Sequence, residues 1–483
     1  MKRITGLLLV MALLASMVSC GGNKTGGDEI SSQDGMTSDA VTDPEYTYPE
    51  LDCGGDAFTI LNTENIWQMY TYLDHESMTG EIIDDAVYER NRKLEEEFNF
   101  KLEVVEYYLL DLVKQVQTTV SAGDDVYDAA YVRGWDVASI VSSGYALNLY
   151  DVPGLQLDKE WWNQSVVTEA SIGKNSDVLY FVHSDLSLCS FDLVWSIFFN
   201  ENMMTDLGKE MPYDIVRNGK WTIDEFNKML KWGTNLNGDE DFTFGKDKNS
   251  IYGLTSFYRL VDAMIIGANN RLTTKGSDGI PVLSIENDRF YTTIDKLTKI
   301  FGTEGDYIEA NDNNTGKKYD TIFMSGRALF YGGEVKASGI FREMEDSFGI
   351  LPLPKLDENQ EEYYAWMNYD TPTLIIPATN SNHERTGAIL DALSYLSYKD
   401  VLPAYYKVRV SQKSLRNDDS IEMLDIIRHS LYYDASRTYG WSEELVNAIH
   451  NAVINGDNNV ASIIAAKKSA VEENITKTLD SIG

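Results

Sequence analysis

The chain is poor in the residues that build common catalytic and metal sites. Its 483 residues include 3 cysteines and 5 histidines. The histidines (His75, His183, His383, His429, His450) are scattered, with no close pair and no neighbouring cysteine cluster, so zinc-ligand spacing is missing. HExxH, Gly-x-Ser-x-Gly and Gly-x-x-x-x-Gly-Lys-Ser/Thr are also absent. Their absence removes the signatures of a zinc hydrolase, an α/β-hydrolase nucleophile and a phosphate-cradling loop. Asn311 to Gly316 begins like a calcium loop, but Ile322 stands where the closing glutamate belongs, so it reads as a polar surface turn. No metal and no cofactor is expected.

Positive charge is scarce: 41 Lys plus Arg face 76 Asp plus Glu, a formal net charge of −35. The basic pairs Lys317-Lys318 and Lys467-Lys468 stand isolated among acids, so nothing matches the clustered cations that a phosphate backbone requires. Nucleic acid is excluded as a partner, and the acidity reads as surface solvation. Three cysteines are too few for a disulfide scaffold; Cys53 and Cys189 read as unrelated small residues or as a pair, which sequence separation cannot decide. Long apolar runs are missing from the body too. Leu193 to Phe199 and Val261 to Ala268 suit buried strands or helix faces, and no repeat of solenoid or propeller length is visible.

The N-terminus carries the strongest positive signal. Lys2 and Arg3 precede an apolar run from Leu7 to Val18, and small Ser19 stands directly before Cys20. A charged start, a short apolar core and a small-residue cleavage site define an export signal, and the run falls short of the roughly 20 apolar residues that span a bilayer. Met17-Val18-Ser19-Cys20 resembles a bacterial lipobox, with Met17 in the usual leucine place. The resemblance implies removal of residues 1–19 and lipidation of Cys20. Residues 20–45 are mostly Gly, Ser, Thr, Asn and Asp, a composition that stays a flexible tether. The body from Tyr46 onward is too long for one hydrophobic core, so at least two lobes are expected.

In the body, strand-rich and helix-periodic segments alternate. Ala57 to Asn62, Lys101 to Tyr107 and Tyr127 to Val132 read as strands. Thr79 to Phe98, with Thr79 as cap, Leu109 to Ala122 and Trp135 to Ser143 read as helices. This order predicts an α/β fold with a largely parallel sheet, because parallel neighbours need crossovers. A second lobe is expected beyond polar Ser184 to Ser190. Thr222 and Glu225 have capping-box spacing at its clearest helix. Ala328 to Tyr331, Phe348 to Leu351 and Thr373 to Ile376 read as further strands, and the chain from Ser420 is mainly helical.

Aromatic residues are abundant, with 9 Trp and 29 Tyr. Flat rings stack on sugar faces while nearby polar groups bind hydroxyls, yet most Trp and Tyr simply fill cores. Position selects a few. Trp135 and Asp136 follow the third strand, where loops form the ligand crevice of open parallel sheets. Tyr331 and Gly332 stand at another expected strand end. Trp366 lies near the return to the second lobe, and Trp67 follows the first strand. Trp161 and Trp162 suit either role, and Trp221 and Trp232 read as core.

Several segments, taken in order, carry a resemblance: Ala57 to Asn62; Thr79-Gly80-Glu81 with Arg90-Asn91; Tyr127-Asp128-Ala129 to Leu147-Asn148-Leu149; Trp221 to Phe226; Phe323 to Phe330; and Phe348 to Pro354. Together they resemble the family 1 extracellular solute-binding proteins, the maltose-binding-like class that serves ABC importers. The resemblance implies a two-lobed periplasmic-binding-protein-like fold, each lobe a mostly parallel sheet flanked by helices, joined by a multi-strand hinge. Crossings are expected near 184–190, 314–319 and 366–373, with lobe one at 46–185 plus 320–366 and lobe two at 190–315 plus 373–483. It further implies a monomeric, extracytoplasmic, lipid-anchored receptor that captures a carbohydrate, an oligosaccharide by expectation, and delivers it to an ABC permease in the membrane. Ligand contacts are implied at Trp135 and Asp136, with Arg133, and at Tyr331 and Gly332. Two alternatives stay open: a glycan-degrading enzyme using paired carboxylates, and a ligand-sensing lipoprotein with a membrane partner.

Overall fold

The computed structural model describes residues 46–67, 69–239, 249–303, 305–309, 311–312, 317–411 and 418–482. The expected signal peptide, Cys20 and the tether lie outside them, as do residues 313–316 of the calcium-like turn and part of the 314–319 crossing.

Two separate sheets organise the body. The labelled strands are β1 (Ala57–Thr63), β2 (Lys101–Tyr107), β3 (Ala129–Arg133), β4 (Trp195–Asn200), β5 (Tyr252–Ser256), β6 (Tyr307–Glu309), β7 (Ala328–Glu334), β8 (Phe348–Leu351) and β9 (Pro372–Ile375). Sheet one has the order β9-β3-β1-β2, and sheet two β8-β4-β7-β5-β6. β1, β2 and β3 run parallel and β9 antiparallel to β3. In sheet two only β4 is reversed. The expected two-lobed α/β architecture is therefore present: mostly parallel sheets, each with one reversed strand.

The helix Ile82–Phe98 covers sheet one with Ile83, Val87, Leu94 and Phe98 buried, each apolar side chain so buried contributing about 1.5–3 kcal/mol. Its entry differs from expectation. Thr79 is not the cap: Glu81 holds that position without a side-chain cap bond, Thr79 Oγ1 accepts from Glu81 N–H at 3.2 Å, and the Asp85 carboxylate accepts from the backbone N–H groups of Thr79 (2.8 Å) and Gly80 (3.1 Å). Thr222 does cap the helix Ile223–Gly233, accepting from Glu225 N–H at 3.3 Å. Trp221 is buried, with its indole donating to Pro352 O at 2.8 Å. Trp161 and Trp162 are structural as well: both indoles donate to Asp391 Oδ1, at 3.0 and 2.8 Å. Cys53 and Cys189 are buried free thiols.

Strand pairing corrects the expected division of the chain. β7 pairs with β4 and β5, and β8 with β4, so these two strands of the 320–366 segment belong to sheet two, not to sheet one, while Ala365–Trp366 pairs with Leu431–Tyr432 outside both sheets. β9 pairs with β3, and Arg90 of the helix Ile82–Phe98 donates to Ser397 Oγ at 2.9 Å, so the segment from 373 to about 400 packs with sheet one. β6 and β7, the labelled strands on either side of the expected 314–319 crossing, lie in the same sheet. The chain passes from sheet one to sheet two between β3 and β4 and returns between β8 and β9. A third passage follows the helix His383–Leu396, because the helix Asp418–His429 packs on β8.

Among the described residues, no helix is long and apolar enough to cross a membrane.

Candidate functional site

The C-terminal end of β3 and the chain just beyond β5 and β7 approach one another beside the return segment Trp366 to Thr371. Loops at such strand ends carry the ligand crevice of open α/β sheets because the strands leave their polar ends unpaired there. β3 supplies Arg133, Trp135 and Asp136. Beyond β5 come Tyr258, Arg259 and Asp262, and β7 ends in Glu334, with Lys336 following. The return segment adds Asn368, Tyr369 and Asp370, and Arg437 enters from the short helix Ala435–Thr438.

Arg133 grips Asp136 through two nitrogens (3.2 and 3.3 Å) and reaches to 3.9 Å from Asp370. Burial raises the Asp370 carboxyl above its usual range, against the pull of Arg133, Arg259 and Lys336. Lys336 pairs with Glu334 at 2.9 Å, and although burial works against its charge, Glu334 raises its pKa. Asp262 receives Arg437 at 2.9 Å and Arg259 at 3.2 Å, with His450 Nδ1 at 3.5 Å. Burial alone would raise its carboxyl, but Arg437, His450 and Arg259 outweigh that cost and hold it at about 2. The cations Arg133, Arg259, Lys336 and Arg437 are thus matched by Asp136, Asp262, Glu334 and Asp370, in a chain whose charge is otherwise strongly negative.

Trp135 stands at the junction and is half-buried. The Arg437 and Arg259 guanidiniums lie over its ring, 4.6 and 5.2 Å from the centroid, and Tyr369 meets it edge-on at 5.4 Å. Its π surface therefore serves two cations, Arg259 from the chain beyond β5 and Arg437 from the helix Ala435–Thr438, a favourable arrangement for the ring quadrupole.

The sequence candidates divide. Arg133, Trp135 and Asp136 come together in this cluster. Tyr331 does not: it is 3 % exposed, packed against Phe198, Phe323 and Phe341. Gly332 is a packing glycine, since a Cβ there would lie 2.4 Å from Leu260 Cδ2. β7 runs on to Glu334, three residues past the expected end at Tyr331. Trp366 is 1 % exposed, with Trp195 at 5.7 Å and Tyr369 at 5.3 Å, and supports the cluster from behind. Trp67 is 53 % exposed in the loop after β1, outside the cluster. Sequence reasoning missed Arg259, Lys336, Arg437 and Asp262. The strand-end rule that selected Trp135 also points to Tyr258-Arg259 after β5; no sequence signal marks Arg437. Among the described residues, no group of His, Cys, Asp and Glu side chains is placed to hold a metal ion.

No family model matches the chain, and no curated protein matches it. Solved structures do share its fold. The galacto-N-biose/lacto-N-biose I-binding protein of the ABC transporter from Bifidobacterium longum, in complex with lacto-N-biose, superposes with a TM-score of 0.58 at 12% identity, covering 88% of this chain and 98% of its own. UgpB from Mycobacterium tuberculosis, in complex with glycerophosphocholine, gives 0.55 at 14% identity over 88% and 98%. An ABC substrate-binding protein from Listeria monocytogenes, in complex with cycloalternan, gives 0.53 at 12% identity over 89% and 99%. The chain has the two-lobed fold of these solute-binding proteins over nearly their whole length.

Proposed function

We propose that the chain is a family 1 solute-binding receptor that captures a carbohydrate between its two lobes and delivers it to an ABC permease. The observation that carries this reading is the charge-matched cluster at the strand ends, where fixed donors and acceptors surround half-buried Trp135. A polyhydroxyl ligand needs both donors and acceptors and an aromatic face, but no net charge. The fold likeness supports the same reading, since two of the three neighbours described above are complexes with glycans. Arg133, Trp135 and Asp136 are the proposed contacts from the first lobe, and Arg259, Glu334 and Lys336 those from the second. Lobe one then takes residues 48–185 and 372–400, and lobe two 190–366 and 418–482.

In this reading the protein is a monomeric binder rather than a catalyst. Cys20 carries lipid that holds it outside the cell membrane, and residues 21–45 tether the body near its permease. Isothermal titration calorimetry against a panel of neutral di- to pentasaccharides tests the ligand class. At least one is expected to bind with micromolar or tighter affinity, and the exchange Asp136→Ala to weaken it. Tight binding of glycerophosphocholine or a peptide, with no heat from any glycan, overturns the carbohydrate assignment.

A further inference from the structure

A second pocket opens beside the cluster and has a different chemistry. β1 lies between β3 and β2 in sheet one, pairing Leu61 with Ala130 and Thr63 with Tyr107. The loops after all three strands therefore leave from one edge, and the loop after β1 comes next to Arg133 and Trp135 along it. That loop walls a cavity of about 710 Å³ lined by Asp74, Glu76, Asp84 and Glu106, with His75 3.3 Å from Asp84. Among the described residues, no lysine or arginine lines it. Arg90 lies behind the wall, fully buried, donating to Leu73 O and to Asn91 Oδ1 (2.9 Å), while Asn91 in turn donates to Asp74 at 2.9 Å. The wall is thereby fixed from inside the lobe.

A second observation points to a ligand. Asn62 also lines the cavity and is 1 % exposed. Its Nδ2 donates to Thr71 Oγ1 at 2.8 Å, and its Oδ1 has no partner. Buried acceptors are rarely left unpaired, because the group has lost its water without compensation. The cavity thus offers carboxylates and an unmet acceptor. An ammonium group, three donors with no acceptor, answers that lining better than a neutral hydroxyl, which must also find a donor. The Tyr70 and Tyr72 rings, 5.8 Å apart at the same wall, add aromatic surface for a cation or a sugar face.

We propose that this pocket binds the ammonium group of an amine-bearing ligand, and, resting on the carbohydrate reading above, that the ligand is a glycan with a free amino sugar at one end. The test is calorimetry at pH 6 with glucosamine trimers, their N-acetylated counterparts and putrescine, on the wild-type protein and on a Glu76→Gln, Glu106→Gln variant of these two exposed side chains. The free-amine trimer is expected to bind about tenfold or more tighter than its acetylated form, and the variant to lose that preference. Binding of putrescine alone, weakened in the variant, sustains the pocket assignment and removes the carbohydrate reading. Glycan binding that is indifferent to acetylation and to the variant overturns the pocket assignment and leaves the receptor reading standing. No heat from any amine at millimolar concentration also overturns it.

Discussion

His183 illustrates how one buried side chain sets the acid response of the region behind the cleft. It is 2 % exposed, with Nε2 3.2 Å from Thr373 Oγ1 on β9, and burial pushes its pKa down to about 3 from 6.5. The folded protein keeps the ring neutral while the unfolded chain takes a proton below about pH 6.5. The stabilisation is thus complete above that pH and is lost as pH falls toward 3, at about 1.4 kcal/mol per unit. Burial raises the carboxyl pKa of Asp128, Asp370 and Asp434, which bends stability the opposite way. The readout is therefore a difference between two proteins. Urea unfolding at pH 7 and pH 5 should find wild type losing roughly 2 kcal/mol more than His183→Gln over that interval; equal losses would show that His183 takes up its proton without unfolding.

At the scale of elements, two glycines separate a yielding contact from an unyielding one. A Cβ on Gly332 of β7 would meet the side-chain tip of Leu260, which can rotate away, at 2.4 Å. One on Gly387, in the helix His383–Leu396, would sit 1.9 Å from the backbone oxygen of Pro153, which cannot move without shifting its segment. Gly332→Ala should cost about 1 kcal/mol and Gly387→Ala about 3 kcal/mol or more in urea unfolding, with the m-value unchanged. A reversed order would mean that the Pro153 turn is softer than its packing implies. These contacts also mark the limit of legibility in the sequence. Local signals were readable: Thr222 caps its helix, and the strand-end rule selected Arg133, Trp135 and Asp136. The partners of a strand are a long-range matter. The apolar pattern of Ala328 to Tyr331 announces a buried strand but not that Phe199 and Leu254 flank it, so neither its sheet nor the packing of Tyr331 against Phe198, Phe323 and Phe341 can be read from the segment alone. The helix over sheet one starts at Ile82, with Glu81 rather than Thr79 at the cap, where the Asp85 carboxylate holds the entering chain at Thr79 and Gly80, an outcome that depends on the path of that chain.

For the whole molecule, the proposed receptor role makes Trp135 the residue at which the balance between open and closed lobes is best tested. Trp135 follows β3 of sheet one; Arg259 approaches its ring from the chain beyond β5 of sheet two, while Arg437 comes from the short helix Ala435–Thr438, which packs on residues 134–136 and on the helix Gln164–Ala170 and pairs with Asp262 at 2.9 Å. Such a contact is worth about 0.5–2 kcal/mol depending on desolvation, so the Arg259 contact, made between the two sheets, is expected to favour closure before any ligand arrives. In the proposed receptor, ligand contacts made by both lobes would add to a closed state already populated, which would lower the conformational cost of binding. Trp135→Ala removes both cation contacts without emptying a core site, since Tyr369 remains held by Trp366 at 5.3 Å. The unliganded variant is expected to scatter X-rays with a larger radius of gyration than wild type, and saturating ligand to restore the compact value. Affinity should fall by about 1–3 kcal/mol, combining lost pre-closure with any lost stacking on the ligand. The two causes separate through Arg259→Gln, which weakens the latch but keeps the indole: if it opens the free protein as Trp135→Ala does, the latch controls closure, whereas unchanged scattering in both variants would leave Trp135 a ligand contact with no part in holding the lobes together.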